Sequence, residues 1–281
     1  MKYVLYNELC NNNKGKVAAE NYVKNLNEEF ELCNVQGMHY VTFLDKLSEN
    51  DEIVLVGGDG TLNRFINDII GYDLNNKVYL YGAGSGNDFL RDVAEGKDMV
   101  CINDYIKNLP TVYVNGMKRK FINGIGYGID GYCCEVGDKM RAEGNSDKIN
   151  YTSIAIKGLL FKFKKVNATI TVDGVKYEHK HVWLAPTMKG RYYGGGMLIT
   201  PEQNRLDIDG ILTAVIFKGR SKLATLMAFP DIFKGKLGKH KKRVAYYPGH
   251  EIEVSFDRPT ALQIDGETVL NVTSYRVVRH D

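Results

Sequence analysis

Along the first third of the chain, apolar positions follow two alternating periods. Tyr3–Tyr6 is a short apolar run that predicts a strand, and the polar stretch from Asn7 to Gly15 predicts a loop after it. Ala19, Tyr22, Val23, Leu26 and Phe30 then recur at helical spacing. Ile53–Val56 is an unbroken run of β-branched residues and Leu, the pattern of a strand buried on both faces of a parallel sheet. Leu62, Phe65, Ile66 and Ile69 give the next helix, closed by Gly71, and Val78–Tyr81 gives another strand. This alternation predicts an open α/β sheet.

From about Lys120 the period shortens. Thr169–Val172, Asp173-Gly174 and Val175–His179 read as a hairpin with a two-residue turn. Further strands are expected at His181–Ala185, Met197–Thr200, Ile211–Phe217, Glu251–Phe256, Thr260–Ile264 and Val269–Val278, interrupted by one helix at roughly Ser221–Phe233. The expected architecture is α/β plus all-β, in two domains with a cleft between them.

Composition narrows the class. The 281 residues are 44% hydrophobic and 25% charged, which excludes a disordered chain, a collagen and a disulfide scaffold. Gly is in excess at 29, and the glycines cluster, as loops that approach a ligand require. Net charge is only +3, yet nine Lys/Arg and the single acid Asp231 lie between Lys218 and Arg243. Such a patch suits anionic lipid, phosphate or nucleic acid, or is a solvated face. Five Cys without C-x-x-C spacing suggest neither disulfides nor zinc. No secretory leader and no bilayer-spanning apolar run is expected, so a cytoplasmic protein is predicted.

The strongest motif is GGDGT, Gly57–Thr61, between a buried strand and a helix. In an open α/β sheet, ligands bind at the carboxyl ends of strands. Adjacent glycines admit a phosphate chain, and the helix start offers N–H groups and a positive dipole end. GAGSGNDF, Gly82–Phe89, stands in the same relation to the next strand. Gly126, Gly128 and Gly131 satisfy G-x-G-x-x-G, but Tyr132-Cys133-Cys134 follows with no clear helical stripe, so a close-packed glycine strand is preferred to a dinucleotide site. IDGE, Ile264–Glu267, reads on spacing alone as a hairpin turn. Asp207 and Asp209 are hard oxygen donors two residues apart, suited to magnesium or to a loop.

In order and spacing, GGDGT with Leu62-Asn63, GSGNDF (Gly84–Phe89), FINGIGYGIDG (Phe121–Gly131), GGG (Gly194–Gly196), Asp209-Gly210 and IDGE resemble the diacylglycerol kinase catalytic-domain family. Its relatives include soluble bacterial lipid kinases, sphingosine kinases and ceramide kinases. The resemblance implies an N-terminal α/β nucleotide-binding domain, 1–118 joined by 271–281, and a C-terminal β-sandwich, 119–270, with the active site in the cleft between them. It implies ATP-dependent phosphorylation of a lipid hydroxyl with Mg2+, first of all diacylglycerol giving phosphatidic acid. Gly57, Gly58, Asp59, Gly60, Thr61, Asn63, Gly84, Ser85, Gly86 and Asn87 would hold ATP. Asp59 and Asp88 would organise metal and polar network, and Glu267 would be the general base. Asp209, with the carbonyls of Leu206 and Ile211, matches a second, structural magnesium site.

The implied partner is a lipid substrate met peripherally at the inner face of the membrane, with no nucleic acid; related bacterial enzymes suggest a homodimer. Ile154, Ala155, Ile156, Leu159, Leu160 and Phe161 with Lys157, Lys162, Lys164 and Lys165, and the Lys234–Arg243 patch, are the candidate membrane contacts. Alternatives are a sphingoid-base or phosphatidylglycerol kinase, an NAD kinase, or a non-catalytic protein of the same fold. Four positions depart from the family pattern: Asn7-Glu8 where Asn-Pro is usual, Ser85 for Thr, Arg64 where Glu is common, and Ile208 where an acid often precedes Asp209.

Overall fold

This computed structural model describes residues 1–279 apart from 9–13, 25, 84–86 and 146–148, with backbone alone at 152 and 159. The chain forms two compact units, Met1–Lys107 and Asn108–Asp281.

The first unit is a five-stranded sheet built from β1 (Lys2–Tyr6), β2 (Phe30–Asn34), β3 (Glu52–Gly57), β4 (Lys77–Gly82) and β5 (Met99–Cys101), in the order β2-β1-β3-β4-β5. All pairings are parallel except β4–β5. Ile53–Val56 is fully buried, as the unbroken apolar run requires of a central strand. The expected helical run from Ala19 to Phe30 is corrected: the helix is Gly15–Val23, and Phe30 opens β2. Register from Lys2↔Phe30 to Tyr6↔Asn34 commits that segment to the sheet edge, so pairing overrides the period.

The second unit contains β6 (Thr111–Val114), β7 (Met117–Lys120), β8 (Gly124–Tyr127), β9 (Val166–Val172), β10 (Val175–Leu184), β11 (Thr187–Met188), β12 (Tyr192–Tyr193), β13 (Met197–Leu198), β14 (Leu212–Lys218), β15 (Val244–Gly249), β16 (Glu251–Ile264) and β17 (Glu267–Val278). All but β12 and β13 join one ten-stranded sheet. β16 pairs with β17, β8 and β9, so the sheet folds back over a core that includes Ile170, Ile216, Val254, Leu262 and Val277. The opposite face of β14 carries Val215 and Phe217 against Trp183 and a helical layer.

The tail strand β17 pairs with β6 through Arg276↔Tyr113, Val277↔Val112 and Val278↔Thr111. Two expectations change here. The expected strands Glu251–Phe256 and Thr260–Ile264 are one long strand with shifted register between Ser255 and Leu262. A 14-residue helix, Ile129–Ala142, follows the glycine strand where no helical stripe was expected. Its stripe is Ile129, Tyr132, Cys133, Val136 and Met140, packed on the second core. A β-carbon on Gly131 would fall 1.9 Å from the Ala261 carbonyl oxygen, so this glycine lets the helix lie on β16. β8 pairs antiparallel with β11 and β16, which excludes a β-α-β dinucleotide unit here.

Candidate functional site

Chain direction locates the first candidate. From β1 the sheet grows to β2 on one side and to β3 and β4 on the other, so the strand order reverses at β1/β3. Ligands of open α/β sheets bind at such a switch point, outside the carboxyl ends of the strands. Gly57 ends β3 there, and the helix Asp59–Asp68 begins two residues later, after Gly58. A β-carbon on Gly57 would lie 2.2 Å from Thr61 Oγ1, so the turn closes only on glycine, whereas one on Gly60 would meet nothing within 4 Å. The space beside Gly60, at a helix N-terminus, can take an anion. On the β1 side, Gly15 is pressed against the Asn7 carbonyl; residues 9–13 of that loop lie outside the described residues.

Asp59 joins this turn to the next. Its carboxylate accepts the backbone amide of Asp88 at 2.8 Å and that of Phe89 at 3.0 Å, capping the helix Asp88–Val93 that follows β4. The strands already align Gly57 with Gly82, and the Ala83 amide donates to the Gly57 carbonyl. Asp88 is buried and accepts Arg91 Nη1 at 3.0 Å. Asn87 Oδ1 is buried and meets no partner among the described residues. Asn63 is fully buried, and its carbonyl and side-chain oxygens accept Asn67 Nδ2, which makes it a brace of the helix. Gly84, Ser85 and Gly86 lie outside the described residues. Arg64 forms an exposed ion pair with Asp68, 3.6 Å away.

In the second unit IDGE is a hairpin turn, with Ile264 opposite Glu267 and left-handed backbone at Asp265 (φ 46°) and Gly266 (φ 95°). Its two acids have different duties. Asp265 is buried and accepts the amides of Ile122 (2.7 Å), Asn123 (2.9 Å) and Gly124 (3.0 Å), locking the hairpin to the glycine strand. Glu267 is 45% exposed and is held by the Arg119 guanidinium from β7. Neither Asp265 nor Arg119 was singled out from sequence; their partners lie over 140 residues away, beyond any local pattern.

The Asn204–Ile211 loop is organised by Asp207, not by Asp209: the Asp207 carboxylate accepts the amides of Asp209 (3.2 Å) and Ile211 (3.3 Å). The Ile211 carbonyl accepts Gln203 Nε2 at 2.6 Å, and the Ile208 carbonyl accepts Arg279 Nη2 at 3.1 Å. Asp209 and Leu206 are exposed. Lys189 and Arg205, beside this loop, are both buried. Burial and the nearby Arg205 charge push the Lys189 ammonium below its usual range, while Asp207 opposes them. Among the described residues, no group of three or more His, Cys, Asp or Glu could hold a metal ion.

Elsewhere in this unit Asp130, buried beneath the glycine strand, accepts the Tyr193 hydroxyl at 2.7 Å, and burial pushes its carboxyl up to about 7. Of the candidate membrane segment, Ile154 and Ala155 are buried in the helical layer, while Phe161 is 75% exposed. Lys165 is turned back onto the Arg220 carbonyl and the Trp183 ring. Among the described residues no helix is long and apolar enough to cross a membrane.

An α/β sheet with a glycine turn after β3, beside its switch point, followed by a folded-over antiparallel sheet, defines the two-part class of fold to which the chain belongs. Residues 2–112 match the diacylglycerol kinase catalytic domain, and residues 123–278 match the YegS C-terminal NAD kinase beta sandwich-like domain. The chain belongs to the diacylglycerol kinase catalytic-domain family. It is 24% identical over 194 residues to a diacylglycerol kinase of Mycobacterium tuberculosis (strain CDC 1551 / Oshkosh), a match covering 66% of this chain and 60% of that protein. The chain thus spans about 60% of the length of the curated relatives it matches first. Two solved chains from Bacillus anthracis str. Sterne share the fold. One gives a TM-score of 0.70 at 19% identity, covering 99% of this chain and 91% of that one. The other, named a diacylglycerol kinase, gives 0.61 at 17%, covering 99% and 93%.

Proposed function

We propose that this chain transfers the γ-phosphoryl group of ATP to a lipid hydroxyl, with diacylglycerol as the first acceptor and phosphatidic acid as product. The reading rests on Asp59, whose two hydrogen bonds to the amides of Asp88 and Phe89 tie the GGDGT turn to the start of the helix after β4, next to the switch point. Phosphoryl transfer asks mainly for positioning and for neutralising the charge on the transferred group. Open space at Gly60 lets the polyphosphate approach the helix start, and glycine at 57 keeps Thr61 close to the turn. The unpartnered Oδ1 of Asn87 and the buried Asp88 are the residues that would hold magnesium with its water. When bound, the ion neutralises phosphate charge. Glu267, oriented by Arg119, takes the hydroxyl proton.

A soluble pool of diacylglycerol is negligible, so the same reading asks for a face that meets a bilayer. The helix Lys222–Ala228 exposes Leu223 (67%) and Met227 (73%), and Lys222 Nζ ties it to the Leu160 carbonyl beside Phe161. Exposed Lys157, Lys162, Lys164, Lys234 and Lys236 lie along these segments. Each basic residue near an anionic surface contributes about 1 kcal/mol. Co-sedimentation is expected to favour phosphatidylglycerol-containing over phosphatidylcholine vesicles, and equal binding to both counts against this face.

ATP consumption with diacylglycerol, a sphingoid base, phosphatidylglycerol or NAD offered separately tests the reaction. Turnover with diacylglycerol that falls about 10²–10⁴-fold in Glu267→Gln, with ATP binding retained, is expected. Turnover with NAD alone, or with no acceptor, rejects the reading.

A further inference from the structure

The sequence resemblance implies a structural magnesium at Asp209 and the carbonyls of Leu206 and Ile211. The surroundings of that loop are already cationic. Lys189 is 5% exposed, and its ammonium makes no hydrogen bond or ion pair among the described residues. Its backbone is fixed: the amides of Lys189 and Gly190 both donate to the Asn123 carbonyl, at 3.0 and 2.9 Å. Against Gly190 lies the guanidinium of Arg205, buried and bonded to the Ile122 carbonyl and to Asn123 Oδ1. A third cation, Arg279, packs on Gly210 and donates to the Ile208 carbonyl in the middle of the loop. The charges of Arg205, Arg279 and Asp207 all act on Lys189.

The donors that a magnesium would need are committed or weak. Asp207 spends its oxygens on the amides of Asp209 and Ile211, and the Ile211 carbonyl holds Gln203. The exposed Asp209 carboxylate and the Leu206 carbonyl remain, and Ile208 rather than an acid precedes Asp209. Magnesium demands near-octahedral oxygen ligation and dehydrates reluctantly, so one carboxylate and one carbonyl in a loop flanked by buried cations are a poor donor set. The residues present do not fit the ion.

We propose that Lys189 and Arg279 are the built-in cations of this loop: the buried Lys189 charge offsets that of Asp207 and Arg279 holds the Ile208 carbonyl, so Asn204–Ile211 folds without a divalent metal. Nothing in this inference depends on nucleotide or turnover, so it stands or fails apart from the kinase reading.

The test is thermal unfolding of the full chain without nucleotide, in EDTA and across a MgCl2 titration. Wild type is expected to melt within about 1 °C throughout, whereas a millimolar site would raise the midpoint by roughly 3–6 °C at about 10 mM Mg2+. Lys189→Asn, which removes the cation and keeps a polar group, is expected to melt lower in EDTA and to regain part of the loss with Mg2+. Arg279→Met, at a less buried position, is the second variant and is expected to behave in the same direction. A saturable Mg2+ response in wild type overturns the proposal. So does a Lys189→Asn protein whose midpoint ignores Mg2+, or a wild-type midpoint raised by inorganic phosphate and not in Lys189→Asn, which would make the cluster an anion site.

Discussion

The two acids of IDGE should separate stability from chemistry, and Asp265→Asn is the sharper perturbation. The wild-type carboxylate holds three amides at 2.7, 2.9 and 3.0 Å in a buried setting. Asn tolerates the left-handed backbone that Asp265 adopts, so the change costs nothing in φ. It keeps one oxygen and turns an NH2 group toward the remaining donors. At least one amide is then left unpaired, at about 1–3 kcal/mol, and the other bonds lose their charge assistance. The sum is roughly 2–4 kcal/mol. For a unit of this size, about 2–4 °C accompanies each kcal/mol, which gives a drop of roughly 4–16 °C.

Glu267→Gln is the control within the same hairpin. Its carboxylate is 45% exposed and paired with Arg119, and exposed pairs contribute about 0–1 kcal/mol. Its midpoint should therefore stay within about 3 °C of wild type. Thermal unfolding followed by circular dichroism, repeated in denaturant to check that the slope is unchanged, measures both variants. An Asp265→Asn midpoint within about 2 °C of wild type, or a greater loss in Glu267→Gln, refutes the division of labour.

Gly57→Ala should lose roughly 1–3 kcal/mol or more, because its methyl falls 2.2 Å from Thr61 Oγ1, whereas Gly60→Ala should leave the melting midpoint unchanged or higher. If phosphate passes Gly60, the same Gly60→Ala protein binds ATP more weakly; unchanged affinity in a nucleotide titration removes Gly60 from the site. Asp59→Asn should cost about 1–3 kcal/mol and loosen the Asp88–Val93 helix, read as faster amide exchange at Asp88 and Phe89. Burial pushes the Asp130 carboxyl up to about 7 in the folded protein, against about 3.9 unfolded, so the folded state holds the extra proton between these values. Stability should then fall as pH rises from about 4 to about 7 and level off above; Asp130→Asn should flatten this slope and exceed wild type at about pH 8, and parallel profiles would exclude the assignment.

What could be read from the sequence was what depends on neighbours in the chain. Ile53–Val56 announces a central strand because burial on both faces leaves no polar position, and Asp173-Gly174 announces its turn because both residues must adopt positive φ, as they do at 47° and 82°. The GGDGT turn was legible because a close approach that admits only glycine leaves a compositional mark, as at Gly57, where a β-carbon would fall 2.2 Å from Thr61 Oγ1. The helix Ile129–Ala142 was hidden by the same logic. Its apolar stripe runs through two weak hydrophobes and a tyrosine, and Gly131, poor in a helix, is there because Ala261 leaves no space for a side chain.

Long-range commitments left no such mark. Nothing near Asp265 says that it must reach Ile122–Gly124, and nothing near Lys189 says that it will be buried beside Arg205. A motif records that an acid or a base is needed at a position. Whether that group is spent on backbone amides or kept for a substrate is decided by what the fold brings against it. Asp59 shows that the two can coincide: both its oxygens are used in holding Asp88 and Phe89, so its contribution to phosphoryl transfer would come through the turn it fixes rather than through a proton it accepts. Glu267, paired at the surface and free of backbone amides among the described hydrogen bonds, is the acid that under the proposed reaction would take that proton.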